Sequence, residues 1–139
     1  MINNLSKKIS KADDDAKMLI IEALEDNFTG GFDLDSIYEI NGKYVVIEFL
    51  KCITVKPFKS HPNRYWFKNS KKFISLWKIT KKLDGTLFLV NYEDSREQFS
   101  IIKVLKIDKS GVAKEERRDV DFETFKNWFQ KLNSESLNS

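Results

Sequence analysis

Cysteine, histidine, proline and glycine are all scarce in this 139-residue chain, and each shortage closes off a class of proteins. The single cysteine, Cys52, excludes a disulfide framework and a cysteine-based zinc finger. The single histidine, His61, argues against a His-rich metal site or a Ser-His-Asp triad. Two prolines and five glycines exclude collagen-like and linker-like chains. No run approaches the ~18–20 apolar residues of a membrane span. Met1 to Asp15 contains no apolar stretch of the signal-peptide kind. A lone cysteine also suits a reducing compartment. The expectation is therefore a soluble cytoplasmic protein with no membrane partner.

Apolar residues make up 41% of the chain and aromatics 13%, enough for one well-packed domain spanning 1–139. The net charge of +3 conceals a strong asymmetry. Residues 1–50 carry 5 basic and 10 acidic side chains, residues 51–90 carry 10 and 1, and residues 91–139 carry 9 and 10. Between Lys51 and Leu83 there is no carboxylate at all, while six aromatic rings are interleaved with the lysines. Such a stretch suits a polyanion such as DNA, with phosphates on the cations and a base on a ring. It equally suits a solvated lysine face around an aromatic core.

Periodicity divides the chain into a mixed series of elements. Residues 1–12 and 133–139 read as polar, flexible tails. Asp13, Asp14 and Asp15 precede a helix of about three turns, with Ala16, Ile20, Ala23 and Leu24 on one face. Strands at 32–40 and 43–55 flank Asn41-Gly42, a strong hairpin signal. A helix over about 70–83 places Phe73, Leu76, Trp77, Thr80 and Leu83 on its buried stripe. Lys71, Ser75, Lys78 and Lys82 share another face. Strands at 86–92 and 99–107 follow, then a short strand at 112–118. A last helix, capped by Asp121, aligns Phe122, Phe125, Trp128, Phe129 and Leu132. This order predicts an α/β (mixed α+β) fold, a central mixed sheet flanked by helices. The connection containing the middle helix would set strand 86–92 parallel to strand 43–55.

One charge is out of place. Glu48 lies within the apolar second strand, where an unpaired carboxylate is costly. With a two-residue turn at 41–42, Asp35 falls directly opposite Glu48. Two adjoining carboxylates invite a hard divalent cation such as Mg²⁺. An ion pair between Glu48 and a lysine would satisfy the strand as well. Lys51 follows three residues on, and Asp33 and Glu22 could reach the site as further acids. His61 sits in a loop with no evident partner, and Cys52 reads as a small buried hydrophobe.

An acid on a helix, an acid on a strand, and an acid inside the next strand followed by lysine resembles the PD-(D/E)xK nuclease superfamily. The segment Phe32-Asp-Leu-Asp-Ser-Ile-Tyr-Glu-Ile-Asn-Gly-Lys-Tyr-Val-Val-Ile-Glu-Phe-Leu-Lys51 is similar to the core hairpin of Holliday-junction resolvase-type members. The resemblance covers about residues 13–92. It implies a restriction-endonuclease-like core, with an added C-terminal hairpin and helix, and Mg²⁺- or Mn²⁺-dependent hydrolysis of DNA phosphodiesters. Asp35 and Glu48 would be metal ligands, with Glu22 and Asp33 as additional acids and Lys51 as the motif lysine. Arg64, Lys71, Lys78 and Lys82 would meet the nucleic acid, and a homodimer is compatible with the size. The family pattern is acid-x-lysine, and here Leu50 occupies the lysine position. Either a bulge turns Lys51 back, or a helix lysine such as Lys71 or Lys78 substitutes, or the domain is an inactive nuclease-fold module that binds nucleic acid or a protein. A small α+β interaction protein with merely solubilising lysines is the remaining alternative.

Overall fold

The structure, a computed structural model, describes residues 6–9 and 14–139. The expected frayed tail at 1–12 and a cap from Asp13 fall largely outside these residues. The elements are α1 (Asp15–Leu24), β1 (Ser36–Ile40), β2 (Lys43–Lys51), a 3₁₀ turn (Pro57–Lys59), α2 (Trp66–Lys82), β3 (Thr86–Tyr92), β4 (Phe99–Asp108), β5 (Gly111–Val120) and α3 (Phe122–Leu137). They form an α+β domain around one five-stranded mixed sheet of order β1-β2-β3-β4-β5. Among the described residues only β2 and β3 run parallel, joined through α2, and the other neighbouring pairs are antiparallel.

Side-chain alternation along the strands sorts the core into two layers. On one face, Val46, Leu87, Leu89, Ile102 and Val104 meet Trp66, Phe73 and Leu76 of α2. On the other, Ile47, Val90 and Phe99 meet Phe125, Trp128, Phe129 and Leu132 of α3. The central strands are thus covered on both sides, which explains the unbroken apolar run at Tyr44-Val-Val-Ile47. The aromatic stripe of α3 makes ring contacts throughout, including Phe99 stacked on Phe125 at 4.5 Å. Asp121 caps α3, accepting the Thr124 N–H at 2.9 Å.

The loop leading into α2 is stitched to the β4–β5 hairpin. Asn63 exchanges amide hydrogen bonds with the backbone of Val112, and the Trp66 indole donates to the Lys109 carbonyl at 2.9 Å. The Arg117 guanidinium donates to the carbonyls of Pro57, Phe58 and Ser60 at 2.8–3.0 Å and holds the 3₁₀ turn in place. His61 Nδ1 accepts the Asn63 N–H, so Nε2 carries the proton directed at Glu115. These anchors start α2 at Trp66, four residues before the periodicity suggests.

Other boundaries shift for similar reasons. The first strand begins at Ser36 rather than residue 32, and β2 ends at Lys51 rather than residue 55. β5 extends over Gly111–Val120, its charged residues alternating on an edge strand paired along its length with β4. The supposed C-terminal tail is helical to Leu137, and the hydroxyls of Ser136 and Ser139 donate to the Glu39 carbonyl. In α1 no residue is buried, contrary to the expected apolar face, and Asp14 sits at the cap position without a side-chain bond.

Gly85 lies where β3 passes close to β2, and a Cβ there would be driven into the Tyr44 carbonyl oxygen. Backbone cannot yield as a side-chain tip can. Gly85→Ala is therefore expected to cost about 1–3 kcal/mol, read as a melting temperature lower by several degrees.

Candidate functional site

The hairpin sets the site. Asn41 and Gly42 both take positive φ, 51° and 82°, the pattern of a two-residue primed turn. The register runs from Ile40 opposite Lys43 to Ser36 opposite Ile47. One step beyond, the ladder gives way to a side chain: the Asp35 carboxylate accepts the Phe49 N–H at 2.9 Å. Asp35 thereby comes beside Glu48 while remaining exposed to solvent.

Glu48 points to the α2 side of the sheet, on the same face as Val46 and Leu50. It is only 2% exposed. The Lys72 ammonium of α2 stands 2.6 Å from Oε2 as an ion pair, yet neither Glu48 oxygen has a partner in hydrogen-bond geometry. Burial pushes the Glu48 carboxyl up to about 8, the neighbouring Asp35 carboxylate adds to the rise, and Lys72 opposes it. Near neutral pH the buried site therefore favours the protonated form of Glu48. The arrangement is an acid pair with one fixed cation alongside.

The other nominated residues separate. Lys51 alternates to the face opposite Glu48 and pairs with Asp94 at 3.1 Å, and no bulge interrupts its strand. Leu50, in the motif position, packs against the core. Asp33 pairs with Lys17 at 2.9 Å on the surface. Glu22 is exposed and lies on the side of α1 opposite Lys17, Ile20, Ile21 and Leu24, the residues that line the groove toward Lys72. Glu22 and Lys51 are therefore not brought to the acid pair, whereas Asp33, held by Lys17, lines the same groove as Lys72. Lys71, Lys78 and Lys82 are exposed and, among the described residues, have no carboxylate partner. The Arg64 guanidinium lies over the Tyr65 ring. Cys52 is half-buried rather than fully enclosed.

Lys72 is the residue that sequence reasoning passed over in favour of Lys71 and Lys78. A signal existed: Lys72 heads the series Lys72, Leu76, Thr80, whose other members are buried. A lysine on the core stripe of a helix implies a buried anion.

A hard divalent cation takes oxygen ligands, commonly one or two carboxylates completed by water and substrate phosphate. Asp35 and the two Glu48 oxygens without hydrogen-bond donors fit that chemistry. Among the described residues no group of three or more His, Cys, Asp or Glu side chains gathers, and the acids there that would hold such an ion are Asp35 and Glu48. No helix among the described residues is long and apolar enough to cross a membrane. Comparison with family models, characterised proteins and solved structures finds nothing that matches this chain.

Proposed function

We propose that the protein is a metal-dependent nuclease-like hydrolase of DNA phosphodiesters, its site formed by Asp35, Glu48 and Lys72. The observation that supports it above others is a buried carboxylate, Glu48, set against a second acid and an ammonium group in the parallel-strand region of the sheet. Mg²⁺ or Mn²⁺ held by Asp35 and Glu48 would polarise a phosphoryl oxygen and lower the pKa of a bound water. The chain's own groups supply the remainder. The Phe49 N–H fixes the Asp35 carboxylate, Glu48 holds or releases a proton, and the Lys72 ammonium offsets negative charge developing on phosphate. Lys72 takes the part first assigned to Lys51. Lys71 and Lys78, without partners among the described residues, extend positive charge along α2. The surroundings proposed for this activity are cytoplasmic, with the chain acting singly or as a homodimer.

The experiment is cleavage of supercoiled and branched DNA with Mg²⁺ or Mn²⁺, against an EDTA control. Cleavage is expected in the wild type and absent from Asp35→Ala and Glu48→Ala. Undiminished cleavage by both variants would refute the site.

One observation favours a second reading, a non-catalytic module of the same fold. The Lys72 ammonium already stands 2.6 Å from Glu48, where a metal would otherwise bring positive charge. That reading predicts salt-sensitive DNA binding with no cleavage under any divalent cation.

A further inference from the structure

We infer that the start of α2 is a stacking platform for single-stranded nucleic acid, with unpaired bases on Tyr65 and Phe67 and phosphates on Arg64, Lys68 and Lys71. Tyr65 is 56% and Phe67 77% exposed, although large rings normally contribute to a core. Both are held among cations. The Lys68 ammonium lies 5.4 Å from the Tyr65 ring centre and 5.9 Å from that of Phe67, and the Arg64 guanidinium lies 5.5 Å from Tyr65.

No carboxylate competes for these cations. Among the described residues Arg64, Lys68 and Lys71 form no ion pair, and the sequence from Lys51 to Leu83 contains no acid. Another exposed apolar patch, Met18 to Ile21 of α1, lies among Asp14, Asp15, Glu22 and Glu25, and its neighbour Lys17 is committed to Asp33, so it suits a polyanion less. Open rings flanked by unpaired cations match a strand whose bases are free to stack, whereas duplex DNA conceals its base faces. Tyr65 and Arg64 also rim a cavity of about 280 Å³ lined by His61, Asn69 and Asn91.

Lys68 and Lys72 lie one helical turn apart on the same side of α2. A strand stacked on the platform would run its phosphates toward the acid pair. That route rests on the proposed hydrolysis, but the stacking does not.

The test is fluorescence anisotropy in EDTA at low salt, with a labelled oligothymidylate of about fifteen nucleotides. A duplex of equal length serves as the comparison. The single strand is expected to bind more tightly than the duplex. The double variant Tyr65→Ala with Phe67→Ala should weaken it roughly 10- to 100-fold, with melting unchanged because both rings are exposed. Tyr65→Phe with Phe67→Tyr should bind as wild type. Lys68→Ala should lower the salt slope by about 0.7. Asp35→Asn should bind normally, so failure of hydrolysis and failure of stacking give different results. Preference for duplex, unchanged binding by the double alanine variant, loss in the ring-preserving variant, or binding to phosphatidylglycerol vesicles in place of the oligonucleotide would overturn the platform.

Discussion

Replacing Glu48 with glutamine should make the fold more stable at alkaline pH and leave it nearly unchanged near pH 5. The unfolded chain releases the Glu48 proton near the ordinary value of 4.5, whereas the folded chain keeps it up to about 8. Below 4.5 both states hold the proton. Across the interval the unfolded state binds fewer protons than the folded one, so wild-type stability falls as pH rises, at about 1.4 kcal/mol per pH unit. The total is of the order of a few kcal/mol for a side chain only 2% exposed. Glutamine has no proton to lose and cancels this slope. Other shifted groups act elsewhere: Glu93, drawn down by Lys56, and Asp108 and Asp121, drawn down by Ser110 and Thr124, matter at acid pH. Lys17 and Lys56, raised by Asp33 and Glu93, matter only at strongly alkaline pH. Thermal melts of both proteins between pH 5 and pH 9 check this. Parallel curves would contradict it.

Lys72→Met should have the second large effect, of opposite sign. It removes the Lys72 cation that holds Glu48 down and leaves a buried carboxyl beside Asp35. Stripping one partner from a buried pair costs about 3–5 kcal/mol when the remaining group is charged. The loss should thus be severe at pH 9 and slight at pH 5, where Glu48 is neutral. Combining Lys72→Met with Glu48→Gln should restore much of the stability, because no buried charge remains. Under the proposed hydrolysis, Lys72→Met should also lower cleavage about 10²- to 10³-fold, as loss of one charge-stabilising donor does. A double-mutant cycle by chemical denaturation, run alongside cleavage rates, measures both.

Parts of this arrangement are legible in the sequence and others are not. Asn41-Gly42 specifies the turn, the turn specifies the register, and the register places Asp35 by Glu48. The stripe Phe125, Trp128, Phe129, Leu132 identifies the core-facing side of α3 because one sheet face packs against it. The same reading fails for α1, whose periodicity records an apolar face but no partner to cover it. The start of α2 depends on an indole bonded to Lys109, 43 residues away, which no local pattern reports. Lys51 misleads because proximity in sequence is not proximity on a pleated strand: an odd offset from Glu48 reverses its face. Lys72 reaches Glu48 only through helix packing on the sheet, and among many lysines its position on the core stripe is a faint mark.

The most direct measurement is calorimetric titration of Mn²⁺ at about pH 8.5, where Glu48 is largely ionised. One ion should bind the wild type, more weakly at about pH 6 because the carboxyl must first give up its proton. Asp35→Asn and Glu48→Gln should each abolish that binding. Equal binding heats in the wild type and both variants, or none in the wild type, would contradict a metal site at this acid pair.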